Sequence, residues 1–118
     1  MGMSIEVREV GSITVLDVSG ESSIMDGTAL QQTIKGLLQK GKRLFILNLE
    51  GLKHLDSFGL GQMVASFISV RDHKGGIKVV HPTSAIRKLF RYTRVDSVLQ
   101  VVPTIEEAVQ ELQKVAAS

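Results

Sequence analysis

Hydrophobic residues along the chain follow two spacings, one typical of strands and one typical of helices. The first two β-rich runs are separated by Gly11-Ser12, a composition that suits a type II′ hairpin turn, so the chain is predicted to open with an antiparallel pair. The run at 44–49 is almost continuously apolar, which is typical of a strand covered on both faces near the centre of a parallel sheet. The predicted strands are 5–10, 13–18, 44–49, 77–80 and 98–102.

Helical spacing recurs in four segments between and after these strands. The first predicted helix has apolar residues at helical spacing from Leu30 to Leu38 and ends at Gly41. The second ends at Gly75-Gly76, and its apolar residues predict a single buried stripe. Ser84 is predicted to cap a short third helix that reaches about Tyr92. The predicted stripe of the second helix is Leu60, Met63, Val64, Phe67 and Ile68.

A fourth helix is predicted at the C-terminal end. Thr104-Ile105-Glu106-Glu107 has the Thr-x-x-Glu form of a capping box, and the residues after it give the helix an apolar face. The resulting order, β-β-α-β-α-β-α-β-α, predicts an α/β fold with a mixed, mostly parallel sheet, because crossover connections make the strands after the hairpin parallel. The 118 residues, of which 43% are apolar, are expected to form a single domain over 4–116 with short tails at 1–3 and 117–118.

Composition excludes several classes of function. The chain has no cysteine, no apolar run of the roughly 20 residues that span a bilayer, and a formal charge of only +2, so neither a membrane nor direct nucleic acid is an expected partner. The histidines His54, His73 and His81 lack the spacing of a helical metal site. We therefore expect a cytosolic protein with no metal and no cofactor. Four basic residues near the third helix are interpreted as a solvated face, with a second docking patch as the alternative: Arg87, Lys88, Arg91 and Arg94.

Asp56-Ser57 is the candidate functional site. It follows the predicted central strand and begins the second helix, and in open α/β sheets functional crevices lie beyond the carboxyl ends of the strands. Either side chain could instead serve only as a helix cap, which stabilises by about 1 kcal/mol. The sequence leaves these two interpretations open.

The second helix carries no charge from Ser57 to Val70, even on the side away from its apolar stripe. Solvated helix faces usually carry Lys and Glu, so this uncharged face favours a docking partner. Gly59 and Gly61 weaken the first turn by roughly 1 kcal/mol each relative to Ala, which indicates either a contact surface or tight packing inside the fold. The residues on this face are Phe58, Gly61, Gln62, Ala65 and Ser69.

An enzymatic role has little support. The residues around Ser57 do not form Gly-x-Ser-x-Gly, although His54 lies three residues before it, and the glycine-rich stretch lacks the Gly-Lys-Ser/Thr of a P-loop. We expect a protein that is not an enzyme.

The segment Asp56-Ser57-Phe58-Gly59-Leu60-Gly61 resembles the Asp-Ser-x-Gly-Leu-Gly signature of STAS domains, specifically bacterial anti-sigma factor antagonists. The resemblance implies that Ser57 is phosphorylated by an anti-sigma factor with GHKL-type serine kinase activity, and that the unphosphorylated form binds this partner and frees the sigma factor. Phe58 departs from the family pattern, and the loop at 20–26 lacks the Gly-x-x-Asp form of some members. The partner-binding residues expected from the resemblance and from the uncharged face are Ser22, Ser23, Asp26, Asp56, Ser57, Phe58, Gly59, Gly61, Gln62 and Ala65.

A phosphate on Ser57 would bring about −1.5 to −2 charges to a helix N-terminus, where the helix dipole favours an anion. Lys53 is the only cation close in sequence, so phosphorylation is predicted to block docking without remodelling the domain. The alternative function is that of other STAS proteins, which brace the ATPase of a lipid ABC transporter or regulate anion transporters. A monomer or weak homodimer is expected in either case.

Overall fold

The fold is a five-stranded mixed sheet with helices on both faces. The computed structural model describes residues 2–22 and 28–117, apart from the side chains of Ser22 and Ala117. The strands lie in the order β1-β2-β3-β4-β5, with β1 antiparallel to β2 and the others parallel, as the sequence predicts. The elements are β1 (Met3–Val10), β2 (Ile13–Ser22), α1 (Ala29–Gln39), β3 (Leu44–Leu55), α2 (Ser57–Asp72), β4 (Gly76–Val80), α3 (Ser84–Tyr92), a 3-10 turn (Val95–Ser97), β5 (Val101–Val102) and α4 (Ile105–Ala117).

The opening hairpin and the end of α1 confirm the local predictions. Val10 pairs with Ile13, and Gly11 between them has φ +62°, the positive value that the first position of a type II′ turn needs. Gly41 follows α1 with φ +92°, and the amide of Lys42 donates to the carbonyl of Leu37 at 3.0 Å, which closes a Schellman motif.

β3 is longer than the predicted 44–49, because it continues to Leu55 beside the end of β2. Two register shifts against β2 add one extra residue each to β3. The buried residues Leu49, Leu52 and Leu55 therefore recur every third position, whereas a regular strand buries every second one. A search of the sequence for alternating apolar and polar residues therefore does not detect the second half of the strand.

The sheet separates two apolar layers. The larger one lies under α1, α2 and α3, where Phe45 and Leu47 of the central strand meet Met63 and Phe67. The smaller one lies under α4, where Ile46 faces Leu112. β3 contributes buried side chains to both layers, which confirms its predicted central place.

Within α2, the predicted stripe is wrong at one position. Ile68 is 39% exposed, whereas Ser66 and Val70 are buried together with Leu60 and Met63. The hydroxyl of Ser66 donates to the carbonyl of Gln62 at 2.9 Å, which allows a polar residue to occupy the buried side.

The C-terminus of α2 also differs from the prediction, because the helix ends at Asp72 and its left-handed residue is Lys74, with φ +62°. The amide of Gly75 donates to the carbonyl of Val70 at 2.9 Å and closes the end of the helix, as its predicted place as a stop requires. Gly75 also has a packing role, because a Cβ there would overlap the carbonyl oxygen of Arg43. A Cβ on Gly76 would lie 2.8 Å from Leu112. The two glycines therefore permit close packing after the helix, while the left-handed conformation at its end falls on Lys74.

Two further boundaries differ from the sequence prediction. Thr83, not Ser84, caps α3, since its hydroxyl accepts from the amide of Ile86 at 3.3 Å. The predicted strand at 98–102 shortens to Val101–Val102, because the chain before it forms the 3-10 turn at Val95–Ser97. The predicted capping contact of α4 is present: the amide of Glu107 donates to the Thr104 hydroxyl at 3.1 Å.

Candidate functional site

The candidate site begins with a capped helix N-terminus, where the chain turns from β3 into α2. Asp56 has an extended backbone, and its Oδ1 accepts from the amide of Gly59 at 2.8 Å. The carbonyl of Asp56 also accepts the first helical hydrogen bond, from Leu60 at 2.9 Å. Asp56 is therefore the N-cap, which decides between the two capping residues that the sequence left open.

Ser57 is the first helical residue, and it is exposed. Within the part of the chain that the structure describes, its hydroxyl forms no hydrogen bond. Because the neighbouring carboxylate already satisfies the Gly59 amide, the Ser57 hydroxyl has no capping role. The geometry leaves an exposed hydroxyl at the positive end of a helix dipole.

The end of β2 lies beside this N-terminus. Ser22 pairs with Leu55, the residue before Asp56, and Glu21 pairs with His54. The strand register thus brings one of the predicted loop residues next to the start of α2. Ser23 and Asp26, the other two loop residues predicted to bind a partner, lie outside the described residues.

The predicted docking face of α2 is partly open. Gly61 is exposed, and Phe58, Gln62 and Ala65 are half-buried, whereas Gly59 is buried. A Cβ built on Gly61 would meet no atom of the described residues within 4 Å. Packing against residues 2–22 and 28–117 therefore does not require a glycine at position 61, which favours the contact-surface interpretation.

Gln62 has a feature that sequence reasoning missed. Its Oε1 is buried and has no hydrogen-bond partner among residues 2–22 and 28–117. A buried acceptor without a partner costs about 1–3 kcal/mol, and such groups are rare in native proteins. The sequence gives only a weak indication of this buried acceptor, namely an amide side chain in a helix segment that carries no charge.

The ion pairs among residues 2–22 and 28–117 lie away from Ser57. Arg8 Nε donates to Asp17 Oδ2 at 2.7 Å, and this hydrogen bond lowers the pKa of Asp17 from its usual value. Lys42 lowers the pKa of Glu9 in the same way through a contact of 2.8 Å. The pairs are Arg8–Asp17, Lys42–Glu9 and Lys78–Glu111.

The described residues contain no group of three His, Cys, Asp or Glu side chains that could hold a metal ion. The helices described in the structure are each too short or too polar to cross a membrane.

Sequence comparison identifies the family. The family model for the STAS domain matches residues 4–108. The chain is 24% identical over 110 residues to the anti-sigma-B factor antagonist of Bacillus subtilis, covering 93% of this chain and 100% of that protein. It is 32% identical over 76 residues to a candidate anti-sigma factor antagonist of Thermotoga neapolitana, covering 64% of this chain and 67% of the relative.

Solved structures share the fold. An anti-sigma factor antagonist from Mycobacterium paratuberculosis superposes with a TM-score of 0.83 at 23% identity, covering 94% of both chains. The phosphorylated form of SpoIIAA, a Bacillus cell fate determinant, superposes with a TM-score of 0.70 at 21% identity, covering 92% of this chain and 98% of that one.

Proposed function

Because the chain belongs to the STAS domain family, we propose that it is an anti-sigma factor antagonist whose binding to its partner is switched off by phosphorylation of Ser57. The partner is an anti-sigma factor with GHKL-type serine kinase activity. In its unphosphorylated form the protein occupies this partner and so frees a sigma factor. The names of two relatives, the antagonists from Bacillus subtilis and Mycobacterium paratuberculosis, support this assignment.

The exposed hydroxyl of Ser57 is the observation that carries the proposal. Asp56 alone caps α2, so phosphorylation of Ser57 breaks no hydrogen bond among the described residues. In the transfer, Ser57 Oγ forms a bond to the γ-phosphorus of ATP, ADP leaves, and the hydroxyl proton passes to a base of the kinase. A related protein, SpoIIAA, has been solved in phosphorylated and unphosphorylated forms, which supports a stable fold in both states.

The charge of the phosphate explains the switch. About −1.5 to −2 charges at Ser57 lie at the positive end of the α2 dipole, so the domain tolerates them. Asp56 adds a like charge beside the phosphate, and Lys53 is an exposed cation four residues before Ser57. A partner that packs on an uncharged face must desolvate this anion or meet it with its own carboxylates, and both weaken the complex.

The docking face consists of the N-terminal half of α2 and the end of β2. Gly61 is exposed, and packing against the described residues does not require a glycine there, which supports close approach of a partner backbone. Phe58, Gln62 and Ala65 flank it as half-buried, uncharged side chains. Ser22, at the end of β2, is proposed to extend this face together with Ser23 and Asp26.

The direct test is phosphorylation by candidate GHKL kinases from the same genome. The protein is incubated with each kinase and ATP, and phosphate is mapped by mass spectrometry. We expect one phosphate on Ser57 and none on the Ser57→Ala variant. Phosphate on another residue, with Ser57 unmodified, would contradict the switch. Capture of a transporter ATPase, with no kinase bound, would instead support the transporter role.

A matched pair of glycine variants tests the docking face. Gly61→Gln places a side chain in open space on α2, and Gly36→Gln does the same on α1, where a Cβ also meets nothing within 4 Å. Both should fold, since Gly to Gln raises helix propensity. We expect Gly61→Gln to weaken kinase binding at least about tenfold, which is 1.4 kcal/mol, while Gly36→Gln binds like wild type. Equal binding by both variants would exclude Gly61 from the interface.

A further inference from the structure

Among the described residues, the short edge strand β5 leaves the first half of β4 unpaired on the side away from β3. β5 pairs only Val101 with Val79 and Val102 with Val80, and the amide of Val79 donates to the carbonyl of Gln100 at 2.9 Å. The amide of Gly76 points the other way, to the carbonyl of Arg43 on the β3 side. Because successive residues of a parallel strand alternate between neighbours, the N–H and C=O of Ile77 face the open edge.

A groove of about 300 Å³ lies along this open edge. It is bounded by α2 on one side, by α4 on the other, and by the segment that precedes β5. Its lining includes three of the large apolar side chains that are exposed in the described chain: Ile68 at 39%, Val98 at 40% and Val115 at 40%. Phe67 and Ile77 extend the apolar lining.

The groove also contains basic groups. The Nζ of Lys78 donates a hydrogen bond to Oε1 of Gln100 and forms an ion pair with Glu111 at 3.4 Å. Arg71, in the last turn of α2, is exposed and has no acidic partner among residues 2–22 and 28–117. A ligand of this groove therefore meets an open backbone donor and acceptor, an apolar lining and one unpaired guanidinium.

We propose that this groove binds an extended segment of a partner protein, which adds as a strand beside Ile77 and carries a carboxylate two residues from its apolar anchor. The hydrogen-bonding groups of Ile77 require an extended backbone, as in other cases of strand addition. The residue opposite Ile77 projects to the α2 side, next to Phe67 and Ile68, and so does every second residue of the added strand. Arg71 lies on that same side, so the carboxylate that pairs with it must also project to that side. The nearest such position is two residues from the apolar anchor.

This surface is separate from the proposed phosphorylation site. Ser57 and Arg71 lie near opposite ends of α2, which is 16 residues or about 24 Å long at 1.5 Å per residue. The proposal does not depend on Ser57, and substitutions in the groove leave the phosphorylation assay unaffected.

The test uses two synthetic peptides, acetyl-Glu-Thr-Val-amide and acetyl-Val-Thr-Glu-amide, one for each strand direction. In both, the valine lies opposite Ile77 and the glutamate lies two residues from the valine in the direction away from β5, because the edge of Val79 is already paired with Val101. Binding is followed by the amide chemical shifts of the ¹⁵N-labelled full chain. We expect the largest shifts at Ile77 and its neighbours and slower exchange of the Ile77 amide. The acidic peptide that binds is then compared with the same peptide carrying lysine in place of glutamate. The lysine peptide is expected to bind at least about fivefold more weakly, as a reversed charge pair predicts.

Two variants and a control locate the binding. Arg71→Glu removes the preference for the acidic peptide, and Val98→Lys weakens both peptides. Val7→Lys changes an exposed valine of β1, at 47%, away from the groove, and should leave both affinities unchanged. Shifts centred on other residues, equal affinity for the acidic and the lysine peptide, or binding unaffected by both groove variants would overturn the proposal. A concentration-dependent dimer that occupies the groove and excludes the peptide would overturn it as well.

Discussion

Replacing Asp56 by alanine tests whether one carboxylate alone caps α2. The variant loses the hydrogen bond from the Gly59 amide to Asp56 Oδ1 and exposes that amide at the helix terminus. Loss of an N-cap of this kind costs about 1 kcal/mol, within a range of about 0.5–2 kcal/mol.

The cost converts into a measurable melting shift. Unfolding entropy near 60 °C is about 2.1 cal/mol/K per residue, which gives about 0.25 kcal/mol/K for the 118 residues. A loss of 1 kcal/mol therefore lowers Tm by about 4 °C. Ser57→Ala should change the free energy of unfolding by no more than about 0.5 kcal/mol, because its hydroxyl is exposed and does not cap.

Differential scanning calorimetry and urea titration of Asp56→Ala, Ser57→Ala and Asp56→Asn measure these differences. Asparagine caps about as well as aspartate, so Asp56→Asn should remain within about 0.5 kcal/mol of wild type. A larger loss for Ser57→Ala than for Asp56→Ala would refute the assignment of the cap. It would also mean that phosphorylation of Ser57 disturbs the helix itself.

Three further changes have expected outcomes. Lys74→Gly should stabilise by about 1 kcal/mol, because Lys74 has φ +62°, whereas Lys40→Gly, at a C-cap with φ −82°, should bring no gain in the same urea titration. Gln62→Met replaces the unpartnered Oε1 by an apolar group of similar shape and should stabilise by about 1 kcal/mol in thermal melts; a loss of stability would show that the amide has a partner. The Arg8 hydrogen bond lowers the pKa of Asp17, so its contribution is present above the unfolded pKa and is lost as pH falls through the folded one. Urea titrations over an acid series should therefore show wild type losing about 0.2–1 kcal/mol more than Asp17→Asn, and parallel pH profiles would contradict this.

The sequence was sufficient for features that depend on neighbouring residues. The Gly11-Ser12 turn, the Schellman end of α1 at Gly41 and the order of strands all follow from local composition and apolar runs. The turn and the helix end depend only on a few neighbouring residues. The strand directions need, in addition, the rule on crossover connections.

Features set by contacts between distant segments could not be predicted. The role of Gly75 depends on the carbonyl of Arg43, about thirty residues earlier in the chain. The second half of β3 depends on pairing with β2 and on two extra residues that change its buried spacing from two to three. Val98 lies outside β5, because it is the C-cap of the 3-10 turn that spans Val95–Ser97.

The candidate site was predicted in position but not in detail. The motif and the topology together placed Asp56 and Ser57 at the start of α2. The division of roles between them, the open space around Gly61 and the buried Oε1 of Gln62 needed coordinates, because each depends on atoms of other turns or strands.

The unequal pairing of β3 changes the environment of its backbone near Ser57. Pairing of β3 with β4 ends at Asn48 and Val80, whereas pairing with β2 continues to Leu55, so among the described residues the segment before Asp56 is paired on one side only. Leu52 and Leu55 are buried in the larger apolar layer, so the side chains of this segment attach it to the body of the domain. The amides of this segment that face the β4 side are expected to exchange with solvent faster than those paired with β2. Amide hydrogen exchange at 50–55 would detect this difference, which a melting curve does not resolve, and would show whether a partner covers these amides on binding.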